Sequence, residues 1–121
     1  MKPIEKLLCN TMHNFVKEHI DELTDTAENL GFMTCKDMLS QINNEWDVAA
    51  WALTELCNWG FKYGNGNPFL HEQYEDENGY KIEIFKLQDG NKERFCRIDG
   101  FVVEVSKVTK MIEVTRWEKT N

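Results

Sequence analysis

Apolar residues recur at steps of three and four along the first half of the chain, and at steps of two along the second. Ile4, Leu8, Met12, Phe15, Val16, Ile20 and Leu23 trace one face of an amphipathic helix over residues 3–23. Glu5, Asn14, Lys17, Glu18, Asp21 and Glu22 fall on the other side. Pro3 suits the first helical position, where a missing N–H costs nothing. The carboxylates near the end of so long a helix oppose its dipole. Thr26–Leu30 reads as a short helical turn that Gly31 ends in the left-handed region. A second helix is expected over 34–43, opened by Thr34-x-x-Asp37 in the manner of a capping box, with Met38, Leu39 and Ile42 as its apolar side. Asn44 then reads as the N-cap of a third helix over 45–62, with Glu45 and Asp47 in its first turn. Trp46, Val48, Ala49, Ala50, Ala52, Leu53, Leu56, Cys57 and Trp59 cover most of that helix, the mark of a central, buried element. Its polar stripe is narrow (Asp47, Thr54, Glu55, Asn58), and Trp51 stands inside it.

Gly60 and the run Gly64-Asn65-Gly66-Asn67-Pro68 break the helical pattern. From Phe69 onward the period is two, with Ile82 and Ile84, Val103 and Val105, and Ile112 and Val114 each bracketing a glutamate. Asn78-Gly79, Asp89-Gly90 and Asp99-Gly100 separate the runs, and such pairs favour two-residue hairpins because both central positions need positive φ. The expected meander has four or five strands, at about 69–74, 80–87, 93–98, 101–106 and 110–117. The fold class is therefore α+β, with the N-terminal helices packed on a C-terminal antiparallel sheet. With no linker, repeat or low-complexity tract, residues 1–121 read as a single domain.

Composition narrows the setting. At 41% hydrophobic and 12% aromatic residues the chain has a globular composition. The opening residues lack the apolar core of a signal peptide, and no apolar run is long enough to span a bilayer. Cys9, Cys35, Cys57 and Cys96 form no CxxC pair, so reduced packing thiols in the cytoplasm are expected. Net charge is −7. Residues 1–60 hold ten acids, four lysines and no arginine, whereas residues 61–121 hold eleven acids and ten bases. Such a chain repels phosphate backbones, which disfavours direct nucleic-acid binding and favours a basic protein surface, and without a bilayer-spanning run no membrane partner is expected.

Catalytic signatures are missing. The glycines at 64–66 follow a helix and precede a strand, the reverse of a phosphate-binding loop, and no Lys-Ser/Thr accompanies them. Cys9 and His13 share a helical face at four-residue spacing, yet zinc needs two further ligands that no spacing supplies. A Cys–His nucleophilic pair is in the inventory, but there is no GxSxG, HExxH or DxDxDG. No catalytic residue, metal ligand or cofactor is assigned.

The segment His71-Glu72-Gln73-Tyr74-Glu75-Asp76-Glu77-Asn78-Gly79-Tyr80 carries the densest negative charge, four carboxylates in six positions, at an expected hairpin. One reading is a solvated tip that discourages edge-to-edge pairing. The other is an interaction surface whose carboxylates stand where phosphates would in a partner's Arg/Lys groove. Glu72, Tyr74, Glu75, Asp76, Glu77 and Tyr80 are then the candidate contacts, the tyrosines supplying rigid area. Trp51, if not covered by a neighbouring element, is a further anchor for a partner or for a homodimer.

Small size, acidity, an α+β layout and this hairpin resemble the small phage- and mobile-element-encoded inhibitors, including anti-CRISPR and antirestriction proteins. The resemblance lies in composition and in residues 72–77. It implies a non-catalytic inhibitor that blocks a nucleic-acid-binding effector of host defence. Arg94, Arg97 and Arg116 in the second half depart from a thoroughgoing DNA mimic. Two alternatives stand beside it. One is a small enzyme or ligand-binding domain with a pocket between helices and sheet, near His71, Tyr74 or Cys57; the other is a homo-oligomeric structural module.

Overall fold

The structure is a computed structural model that describes residues 1–31, 35–60, 66–109 and 115–120. Helices come first and an antiparallel sheet follows, so the fold is α+β as the change of period implies. The chain forms two compact units, Met1–Phe69 and Leu70–Asn121. No helix among the described residues is long and apolar enough to cross a membrane.

In the first unit, the expected helix over 3–23 is two helices, α1 (Pro3–Glu18) and α2 (Ile20–Asn29). His19, at φ −113° and ψ 28°, leaves helical geometry between them. Phe15 packs its ring 4.4 Å from the imidazole, and Nδ1 lies 3.3 Å from the Glu22 carboxylate. The break resolves the dipole conflict, because Asp21 and Glu22 now stand in the first turn of α2, where negative charge is favourable. Glu5, expected on the solvent side, is instead buried and accepts the backbone N–H of Lys2 at 2.7 Å. It satisfies one of the donors that a helix start leaves orphaned.

α2 runs on to Asn29, longer than the expected turn, and Gly31 follows at φ 100° as anticipated. α3 spans Cys35–Asn44 and buries Met38 and Ile42. Thr34, the expected cap, lies outside the described residues. Asn44 is the last residue of α3 and donates to the Ser40 carbonyl; Glu45, one position later, is the extended residue that starts α4 (Trp46–Trp51).

A π-helical stretch, Ala52–Leu56, links α4 to α5 (Cys57–Gly60). The Cys57 N–H donates to the Ala52 carbonyl, five residues back instead of four. The added residue shifts the helical phase, so Trp59 is exposed rather than buried with Leu53 and Leu56. The Asn67 side chain donates to the Leu53 carbonyl at 2.7 Å, and its own oxygen accepts the Phe69 N–H. That clip meets a backbone group at the π turn. α1 packs against α3 and α4. Leu8, Met12, Val16, Leu23, Met38, Ile42, Leu53 and Leu56 are fully buried there, each stabilising by roughly 1.5–3 kcal/mol relative to exposure.

The second unit is a five-stranded meander in the order of the chain, β1 (Leu70–Glu75), β2 (Lys81–Asp89), β3 (Lys92–Ile98), β4 (Val102–Thr109) and β5 (Thr115–Lys119). Strand boundaries differ from expectation by at most five residues, and Ile112 and Val114 lie outside the described residues. The hairpins differ in loop length. The β2–β3 turn is Gly90-Asn91, closed by the Asp89–Lys92 pair; Asp89 itself belongs to the strand. Asp99-Gly100-Phe101 makes a three-residue loop between the paired Ile98 and Val102. The first hairpin is wider, with the Asp76 N–H donating to the Tyr80 carbonyl around Gly79 at φ 82°.

Candidate functional site

The two faces of the sheet follow from its register. Tyr74 stands opposite Ile82, Phe95 opposite Val105 and Trp117 opposite Lys107, placing these residues on one face with Ile84 and Val103. There Ile82, Ile84 and Val105 form a buried cluster against which Phe95, Val103 and Trp117 pack. Phe85, Leu87, Cys96 and Val102 are buried on the opposite face.

β1 carries a bulge. Leu70 pairs with Phe85 and Glu72 with Ile84, so His71 is an extra residue without a partner. A bulge bends its strand and re-aims the side chains around it. His71 thereby reaches Phe95 of β3, with ring centroids 4.9 Å apart, and Trp117 of β5, at 5.8 Å. Phe95 and Trp117 are 4.8 Å apart. The neighbouring Glu72 carboxylate accepts the Trp117 indole N–H.

These contacts fix the curvature. In a flat sheet four inter-strand gaps would separate β1 from β5 by about 19 Å. An indole and a glutamate cannot span that distance, so the sheet curls and draws its first and last strands toward each other. A groove of about 500 Å³ lies between them, lined by Glu72, Tyr74, Glu75, Asp76 and Glu77 from β1 and its hairpin, and by Arg116, Trp117 and Glu118 from β5.

Five of the six sequence-derived candidates in the second unit therefore meet in one place. Tyr80, the sixth, is not in the lining; it stands at the base of the hairpin and is 70% exposed. Trp51 belongs to the first unit, is half-buried, and is not among the residues that line this groove. Asp76 has a structural task as well, since its Oδ1 accepts the backbone N–H of Asn78 and of Tyr80, both at 2.9 Å. Glu75 and Glu77 are exposed. Arg116, Trp117 and Glu118 line the groove without being among the sequence-derived candidates. The available signal was a tryptophan between charged residues in a period-two segment, a side chain suited to a half-buried sheet face.

The groove is electrostatically lopsided, with five carboxylates against one guanidinium. Arg94 of β3 is neutralised by its neighbours: it forms a bidentate pair with Glu104, both contacts at 2.7 Å, and lies 3.4 Å from Asp89. The Glu104 hydrogen bonds hold its pKa above the ordinary arginine value. Lys107 sits 5.7 Å from the centroid of Trp117, a cation over the aromatic face beside the groove.

The three described thiols, Cys9, Cys57 and Cys96, are not activated for nucleophilic chemistry. Burial pushes both Cys57 and Cys96 up to about 12, and Cys9 is raised by burial and by the nearby carboxylates of Glu5 and Asp47. A reactive cysteine needs a shift in the opposite direction. Cys9 is buried with its sulfur 3.8 Å from that of Met1. No group of three or more His, Cys, Asp or Glu side chains among the described residues is placed to hold a metal ion.

No family model matches the chain, and no solved structure matches it. A stretch of Cullin-6 from Caenorhabditis elegans is similar, at 28% identity over 82 residues, or 68% of this chain. The chain spans only 11% of the length of that protein. A likeness of that extent assigns no activity to the chain.

Proposed function

We propose that this protein is a non-catalytic binding domain whose acidic groove engages a basic surface on a protein partner in the cytoplasm. One observation supports the reading above the rest. The curl of the sheet gathers four hairpin carboxylates, Glu118, Tyr74 and Trp117 around one groove. Carboxylates grouped beside rigid aromatic area suit lysine and arginine side chains, which they meet with charge-assisted hydrogen bonds and ring contacts. The composition-level resemblance to small phage- and mobile-element inhibitors suggests the partner class: a nucleic-acid-binding effector of host defence, whose phosphate-binding groove these carboxylates would occupy.

The test is affinity capture across a salt series, run in parallel with wild type and with Glu75→Lys/Glu77→Lys. Both positions are exposed, so the variant keeps its fold. A partner held at low salt, released progressively as charge is screened, and absent from the variant supports the proposal. No partner at any salt, or equal capture by the variant, contradicts it.

A further inference from the structure

We infer that the groove takes its basic partner as an extended segment that adds to the outer edge of β5 as a sixth strand. The inference rests on the binding reading above and deepens it by naming the mode of recognition.

The edge is available by the logic of the ladder. In an antiparallel pair, alternate residues exchange both backbone hydrogen bonds with the neighbour, and the residues between direct theirs outward. The Thr120 N–H donates to the Glu104 carbonyl at 2.9 Å, which fixes the phase of the β4–β5 ladder. Two residues back, Glu118 is opposite Ser106, and two further back Arg116 is opposite Val108. Arg116, Glu118 and Thr120 therefore face β4, while Trp117 and Lys119 present their N–H and C=O groups to the open side. Trp117 lines the groove, so the outward backbone groups border the same cavity as the carboxylates. Among the described residues β1 and β5 share no backbone pairing, although Glu72 and Trp117 join them by their side chains. An unpaired edge is a template for an incoming strand, and such addition takes affinity from the main chain and specificity from alternate side chains.

Charge chooses the occupant. By register, Glu75 and Glu118 stand on one side of the sheet, and Glu72, Tyr74 and Trp117 on the other. A strand lying between them turns successive residues to opposite sides. The segment that fits carries basic side chains at every second position, opposite Glu75 and Glu118. Its intervening residues are aliphatic or arginine, against the aromatic side. A second copy of this chain is a poorer match, because its groove repeats the same negative charge.

The probe is a capped peptide of alternating arginine and valine, compared with the same peptide N-methylated at every second residue in either phase. Methylation removes edge donors and leaves charge and side chains in place. The parent peptide should bind in a salt-dependent way, and at least one methylated form should bind tenfold or more weakly. Lys119→Pro removes an outward N–H without touching the β4 ladder, and proline is tolerated on such edges. It should lose the peptide, while Lys119→Ala keeps it. Equal binding of all three peptides overturns strand addition and leaves the acidic binding site standing. Failure of every peptide, together with successful salt-sensitive capture of a folded partner, also overturns strand addition alone. Concentration-dependent dimerisation of the free chain, lost in Lys119→Pro, would give the edge to a second copy and overturn the inference.

Discussion

Trp117 and Glu72, 45 residues apart in sequence, are joined by an indole–carboxylate hydrogen bond between the two outermost strands of the sheet. That bond and the His71–Phe95–Trp117 ring contacts hold the sheet curled, and the curl makes the groove. Trp117→Phe keeps the ring and removes the donor, leaving a half-buried carboxylate without its partner. It should cost about 1–2 kcal/mol, read as a lower urea midpoint with an unchanged slope. A midpoint equal to wild type would show that the hydrogen bond contributes nothing to the stability of the curled sheet.

Asp76 serves the hairpin and the groove at once, and two substitutions separate the roles. Asp76→Asn retains an oxygen to accept the Asn78 and Tyr80 N–H groups but removes the charge. It should leave stability within about 0.5 kcal/mol of wild type and weaken binding of a cationic peptide. Asp76→Ala removes both roles and should cost on the order of 1 kcal/mol. Urea denaturation and peptide titration on the same samples check the pair.

Buried thiols set an alkaline limit. Cys57 and Cys96 have folded-state values near 12 against an ordinary 9.0, so the folded chain keeps protons that the unfolded chain releases. Their contribution to stability is complete below about pH 9 and is lost as pH climbs toward 12. Urea midpoints measured through this range should fall, and Cys57→Ala with Cys96→Ala should flatten the decline. Alkylation of both thiols at neutral pH should follow unfolding rather than precede it.

Much of the fold was legible because it is local. Gly31 ends its helix where the sequence places a stop, and Gly79, Gly90 and Gly100 all lie at hairpin turns with positive φ. The periodic apolar residues from Ile4 to Leu23 and at Met38 and Ile42 are core or half-buried. What sequence concealed depends on departures from a single period. The break at His19, the π turn at Ala52–Leu56 and the bulge at His71 each shift phase by a residue, and no 3.6- or two-residue template registers such a shift. The site was half legible for a related reason. Glu72–Glu77 is a run in one hairpin, whereas Arg116, Trp117 and Glu118 join it only through the curl of the whole sheet.

On the proposed function, the groove between β1 and β5 receives a cationic partner. Titrating isotope-labelled protein with the alternating arginine–valine peptide, and following amide and indole resonances, tests it most directly. The Trp117 indole N–H and the amides of residues 72–77 and 116–119 should shift, with small changes across α1 to α5. Shifts concentrated in Met1–Phe69, or none anywhere on the curled sheet, would contradict it.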